Sequence, residues 1–257
     1  MKDYRIISDG SCDMPLDLAA ENGIHIVPFY VTKDEKTYLK EGVEISKSEF
    51  YSWMVENKGL YPRSSTPSVQ DYVDAFTEAA EAGEDVICIC ITKKFSSSYD
   101  VASAAAGIMA ETHPECRITV INSMMDTVLQ ALAVMEAAKL HNSGASYDEC
   151  VSRTEAARPT GRIFFPVGGI GYLAHGGRIG KLAGLADSIL GIRPIITLKE
   201  GEIFPSGITR VRSKSLDKVE SLALKYVKER GWSDKDYEMV VGYGYDYEEA
   251  VTFRNRM

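Results

Sequence analysis

Apolar and polar positions along the chain alternate between two periods. Short β-rich runs are followed by amphipathic stretches, the grammar of α/β units. Tyr4–Ser8 reads as a first strand, followed by the loop Ser8-Asp9-Gly10-Ser11-Cys12-Asp13 and a short helix opening near Pro15. Ile24–Thr32 reads as a second strand. Ser46 with Glu49 three residues on predicts a capping box for a helix through Phe50 and Met54. Thr66-Pro67 supplies an N-cap and a proline at the first helical position. Val69, Tyr72, Val73, Phe76 and Ala80 then share one helical face.

Asp85–Thr92 is a continuous apolar run of strand length, as a buried parallel strand requires. The Ser-rich loop Thr92-Lys93-Lys94-Phe95-Ser96-Ser97-Ser98 leads into an Ala-rich helix ending before Pro114. Arg117–Ser123 is another strand, Asp126 caps the next helix, and Ser146 with Glu149 suggests a further capping box. The fold class is therefore α/β, a mostly parallel sheet with helices on both faces. Arg158-Pro159-Thr160-Gly161 is the best linker, dividing residues 1–157 from a smaller α+β domain at 158–257. In that second part Arg162–Val167 reads as a strand, Gly168–Ala174 as a helical turn, and Ile192–Leu198 with Glu202–Thr209 as a β-hairpin. Ser213–Arg230 reads as a helix and Glu238–Gly242 as a strand.

Composition narrows the function classes. The 257 residues are 45% hydrophobic and 26% charged, enough for a packed core without disulfides or metals. The net charge of −8 argues against nucleic acid as a partner, which demands phosphate neutralisation, and against loose adhesion to an anionic membrane. No uninterrupted apolar run approaches membrane-spanning length, so stable insertion is not expected. The N-terminus has no apolar signal region, and five scattered cysteines do not form a disulfide framework, so the expected compartment is the cytoplasm.

Familiar catalytic motifs fail on spacing. Gly169-Ile170-Gly171-Tyr172-Leu173-Ala174 matches a dinucleotide fingerprint, but a second glycine-rich loop stands where the next strand and its acid belong. Gly180-Lys181 has His175 and Leu182 where a phosphate loop needs Gly and Ser or Thr. The four histidines lack ligand spacing, and no C-x-x-C pair exists, so no metal or cofactor is expected. What remains is hydroxyls: Ser64 and Ser65 before one helix, Ser96 and Ser97 between a buried strand and the next helix. Free N–H groups at a helix start favour an anion there, while a plain capping role is the alternative for each serine.

The motifs in order resemble the bacterial DegV family, from residue 4 to about residue 250. Ile7-Ser8-Asp9-Gly10-Ser11-Cys12-Asp13-Met14-Pro15 is similar to its D-S-x-x-D-L-P opening, and Ser64-Ser65-Thr66-Pro67-Ser68 to its T-S-Q-P-S segment. Ile91–Tyr99 is similar to I-S-S-x-L-S-G-T-Y and Val120-Ile121-Asn122-Ser123 to V-I-D-S. Tyr172-Leu173, Gly176-Gly177-Arg178-Ile179-Gly180, Ile192-Arg193-Pro194-Ile195 and Gly201-Glu202-Ile203 follow in family order.

The resemblance implies two α/β domains with a long-chain fatty acid between them, and a role as the non-catalytic carrier subunit of a fatty acid kinase in phospholipid metabolism. Ser64 and Ser96 match the carboxylate-binding hydroxyls, with Ser65 and Ser97 beside them, and Tyr243 stands where the family has a histidine on the carboxylate. Arg178 and Arg212 match arginines near the ligand and partner face; a purely structural role is the alternative for both. Gly10 and Asn122 depart from the family's serine and aspartate, and Leu129 and Ala131 replace glycines, which would narrow the tunnel. The chain ends at Met257, before the family's closing G-T-H-x-G-P-G segment, so the second domain is expected to be shortened at its C-terminus. An enzyme acting on a small phosphorylated or nucleotide ligand at the same anion site is the alternative from another class.

Overall fold

A computed structural model describes residues 2–185 and 191–257 and divides the chain into two units, Met1–Thr160 and Gly161–Met257. The first unit runs β1 (Tyr4–Asp9), a 3-10 turn (Gly10–Cys12), α1 (Leu16–Glu21), β2 (Ile24–Val27), β3 (Tyr30–Thr32), β4 (Leu39–Lys40) and α2 (Lys47–Glu56). It continues with β5 (Arg63–Ser65), α3 (Val69–Glu81), β6 (Asp85–Cys90), α4 (Ser98–Thr112), β7 (Ile118–Asn122), α5 (Thr127–Asn142) and α6 (Tyr147–Ala157).

Four strands pair in parallel in the order β2-β1-β6-β7. Strand residues alternate between faces, and both faces are apolar. On one, Ile7, Val86, Cys88 and Cys90 pack against Tyr72 and Phe76 of α3 and Ala102, Ala105 and Met109 of α4. On the other, Tyr4, Ile6, Ile87, Ile89 and Ile121 pack against Val134, Ala137 and Leu140 of α5 and Tyr147 and Cys150 of α6. The continuous apolar run at Asp85–Thr92 is thus the signature of a strand covered twice. Ala131, at one of the family's glycine positions, packs against this second core.

Three expectations change in this unit. The expected strand Ile24–Thr32 is two strands, because Pro28 has no N–H to continue a ladder; β3 leaves to join a separate antiparallel sheet, β4-β3-β5. Arg63–Ser65 is a strand of that sheet rather than a loop. The N-cap of α3 is Ser68, not Thr66: the Ser68 hydroxyl accepts from the Asp71 N–H while Asp71 accepts from the Ser68 N–H, closing a box over three residues. The box at Ser46 and the cap at Asp126 form as expected, while at Ser146 the hydroxyl accepts from the Glu149 N–H without the reciprocal bond of a full box.

The second unit holds β8 (Ile163–Pro166), α7 (Gly171–His175), a 3-10 segment (Gly180–Leu185), β9 (Arg193–Lys199), β10 (Glu202–Thr209), α8 (Arg212–Arg230) and α9 (Tyr247–Arg256). Its sheet is antiparallel, β10-β9-β8, and Ile195, Val219 and Phe253 form a small core between sheet and helices. Glu238–Gly242, expected as a strand, has no ladder among the described residues. Met239 and Val240 are exposed, and only Val241 turns onto the small core. α9 was not foreseen, although Asp246 with Glu249 three residues on provides its N-terminal cap.

The capping assignment has a direct test. Ser68→Ala lowers unfolding stability in urea by about 1 kcal/mol, whereas Thr66→Ala changes it by no more than about 0.5 kcal/mol. Equal losses would contradict the observed helix start.

Candidate functional site

β1 has β2 on one side and β6 on the other, so the chain reverses its direction of winding between β1 and β6. The carboxyl ends of strands at such a reversal open the crevice in which sheets of this kind bind ligands. Asp9 closes β1 at that point, inaccessible to solvent. Its Oδ2 accepts from the Ile91 N–H at 3.0 Å and the Ser98 hydroxyl at 2.5 Å. Its Oδ1 accepts from the Gln130 amide at 2.9 Å and from the Ser11 hydroxyl. Burial pushes the Asp9 carboxyl up, and these four donors pull against that shift.

The loop from Ile91 to Ser98 is tied down along its length. The Thr92 N–H donates to the Met125 carbonyl at 2.9 Å, and the Lys93 N–H to Asn122 Oδ1 at 3.2 Å. The Ser98 N–H donates to Ser96 Oγ at 3.2 Å. Tyr72 Oη lies 2.6 Å from Ser98 Oγ. Since the Ser98 proton is directed at Asp9, Tyr72 is the donor in that pair, and burial pushes its phenol well up, keeping it protonated.

Of the sequence-selected residues, Ser96 is half-buried within this loop, and Ser97 is exposed as the N-cap residue of α4. Ser97 makes no side-chain capping bond, so plain capping does not explain it. The first turn of α4, like any helix start, presents N–H groups without intrahelical acceptors. Ser64 and Ser65 lie instead on β5, outside the parallel sheet. Ser65 pairs opposite Tyr30 and Ser64 opposite Val31, so the two hydroxyls project from opposite faces. Ser65 lines a cavity of about 460 Å³ with Tyr30, Tyr38, Pro67 and Val101. That small sheet is held to α3 by Asp71, which accepts from Tyr30 Oη at 3.1 Å and Lys40 Nζ at 2.9 Å. Burial opposes ionisation there, but Lys40, Ser68 and Tyr30 hold the Asp71 carboxyl down at about 2.

In the second unit Tyr243 is 56% exposed, its ring 5.4 Å from that of Tyr247. Arg178 is exposed and donates to the Gly176 carbonyl. Arg212 opens α8 and pairs with Glu249 in the first turn of α9, its Nε 2.9 Å from both carboxylate oxygens. The structural role weighed for Arg212 is therefore occupied.

Sequence reasoning passed over Asp9, Ser98 and Gln130. An acid ending an apolar strand was the available signal for the first; nothing in the helical pattern marks Gln130 as its partner. Beside them the turn into α5 is strained: Met124 and the β-branched Thr127 both adopt positive φ, 58° and 46°. Burial and the neighbouring carboxylates Asp13 and Asp9 push Asp126 up to about 7, against the Thr127 N–H that it accepts. Among the described residues no group of three His, Cys, Asp or Glu side chains is placed to hold a metal, and the five cysteines are free and buried. No helix of the described residues is long and apolar enough to cross a membrane.

A family model described as "Uncharacterised protein, DegV family" matches residues 3–257. The chain belongs to the DegV family. A DegV domain-containing protein of Clostridium perfringens is 30% identical over 227 residues, covering 88% of this chain and 79% of that protein. Among DegV-like solved structures, a stearic acid-binding protein from Eubacterium ventriosum is 40% identical with a TM-score of 0.93, covering 98% of this chain and 86% of that one. A fatty-acid-binding DegV family protein from Thermus thermophilus is 25% identical with a TM-score of 0.77, covering 89% and 79%.

The Asp126 environment predicts a pH effect on this DegV chain. Its carboxyl titrates near 3.8 when unfolded and near 7 when folded, so between those values the folded state holds the extra proton. The associated stability is present at low pH and is lost as pH rises from about 4 to about 7. Asp126→Asn keeps a capping acceptor and removes that dependence. Urea unfolding at pH 5 and pH 8 should show the variant gaining on the wild type at pH 8; an unchanged difference would contradict the assignment.

Proposed function

We propose that this protein is a non-catalytic carrier of a long-chain fatty acid, acting in the cytoplasm. The acyl carboxylate would be held by serine hydroxyls of the Ile91–Ser98 loop and of β5, and by the start of α4. The observation that carries this reading is the likeness to a stearic acid-binding protein over 98% of the chain at 40% identity. The chemistry at the carboxyl end of the parallel sheet supports it: Ser96 and Ser97 stand beside helix-start N–H groups, a set of neutral donors suited to one carboxylate. Ser64, at the family's threonine motif, would supply a second hydroxyl, with Ser65 on the opposite face of β5.

Affinity in such a carrier comes mostly from the tail. Each buried CH₂ contributes about 0.8 kcal/mol, so a long chain supplies on the order of 10 kcal/mol before the losses of association. The hydroxyls set orientation and discriminate the acid from its neutral derivatives. Presentation of the carboxylate to a separate fatty acid kinase would then use the exposed Arg178 and Arg212, the latter also joining α8 to α9 through Glu249.

Denaturing extraction of the purified protein followed by mass spectrometry should release a long-chain fatty acid. A released nucleotide or small phosphorylated compound would contradict the carrier and support an enzyme at the same anion site. Ser96→Ala and Ser64→Ala should each weaken fatty-acid retention by about 1–2 kcal/mol, the worth of a hydrogen bond to a charged group. Wild-type retention in both would remove the carboxylate assignment. Arg178→Ala should leave retention within about threefold, since an exposed charge adds little to a tail-dominated affinity, while slowing phosphorylation of the bound acid by a kinase. Loss of the acid itself would place Arg178 in the ligand site.

A further inference from the structure

We infer that Asp9 is the positioning residue of the carboxylate-binding loop, holding Ser96, Ser97 and the first turn of α4 in place through Ile91 and Ser98 without touching the ligand. This rests on the reading above that the loop binds a carboxylate.

The two bonds to Oδ2 come from opposite ends of one segment. Ile91 N–H, where the chain leaves β6, and Ser98 Oγ, where it enters α4, reach the same oxygen at 3.0 Å and 2.5 Å. The intervening residues are therefore closed into a loop whose ends cannot separate while both bonds persist. Ser98 also carries the constraint inward, because its N–H donates to Ser96 Oγ. One residue, through its hydroxyl and its backbone N–H, thus links the buried carboxyl to the hydroxyl assigned to the ligand. Tyr72, donating to Ser98 Oγ, fixes the direction of the Ser98 proton toward Asp9. Asp9 and Ser98 are both fully buried, so neither is available to a ligand, and their effect on binding must pass through the loop.

The bonds to Oδ1 differ in kind. Ser11 belongs to the 3-10 turn and Gln130 to α5; neither is part of the Ile91–Ser98 segment. Cutting a bond on that side perturbs the same carboxylate and leaves the loop closure intact. The asymmetry separates positioning from general stabilisation.

The test compares stearic acid with methyl stearate on delipidated protein, by displacement of a fluorescent apolar probe. A tail-binding surface treats the two alike, and the positioned donors favour the acid, by about tenfold or more in the wild type. Ser98→Ala should reduce that preference to within about twofold while leaving methyl stearate affinity within about twofold of wild type. Ser11→Ala should keep the preference even though it lowers the unfolding midpoint. Should Ser98→Ala not fold, Ser98→Cys retains the side-chain bulk with only a weak donor and should show the same loss. An undiminished preference in the Ser98 variants, or a parallel loss of both affinities, would overturn the inference. A wild-type protein that binds acid and ester alike would instead overturn the carboxylate reading, and this inference with it.

Discussion

A carboxyl group cannot be enclosed by protein unless hydrogen-bond partners meet its oxygens, because an unsatisfied buried polar group is among the most costly features a fold can carry. Asp9 imposes that condition on the first unit. Its four donors come from the 3-10 turn after β1, the end of β6, the start of α4 and the middle of α5. Satisfying them places the two strands of the reversal point, one helix from each side of the sheet and the Ser-rich loop in a single arrangement. The apolar faces of β1 and β6 bring those elements together, with α3 and α4 on one side and α5 and α6 on the other. The buried carboxyl group selects which residues of each must meet.

Asp71 shows the same device with different physics. It gathers Tyr30, Lys40 and Ser68, and so fixes the sheet carrying Ser64 and Ser65 to the start of α3. Burial opposes ionisation there, but a lysine cation takes part beside Ser68 and Tyr30, so its carboxyl is held low. Asp9 has no cation among its hydrogen-bond partners, and burial raises it despite four neutral donors. Each hydroxyl motif is thereby anchored by a carboxyl group a short distance behind it. A neutral donor set suits a ligand whose affinity resides in its tail, since a strong cation would add attraction for any anion without regard to the chain attached.

The layered α/β architecture was legible because its signals are local. Continuous apolar strands, one-faced helices and S-x-x-E caps each state their outcome within a few residues. Pro28 split one expected strand, and that too was readable from the missing N–H. The small β4-β3-β5 sheet was not, since it depends on pairing Tyr30 with Lys40 and Ser65 across long stretches of chain. At the site, Ser64, Ser65, Ser96 and Ser97 stood out through motif and position, whereas Asp9, Ser98 and Gln130 meet only after folding. Glu238–Gly242 carries strand-like composition yet joins no ladder among the described residues, a case in which propensity alone does not make a strand.

The central claim is that the Ser-rich loop at the end of the parallel sheet receives a fatty-acid carboxylate. A crystal structure of the protein with bound stearate tests it most directly. The account predicts a carboxylate oxygen within about 3.2 Å of Ser96 Oγ, with Asp9 still bound to Ile91 and Ser98 behind it. A carboxylate lodged instead at the glycine-rich loop around Arg178, with Ser96 bonded to Ser98 alone, would contradict it.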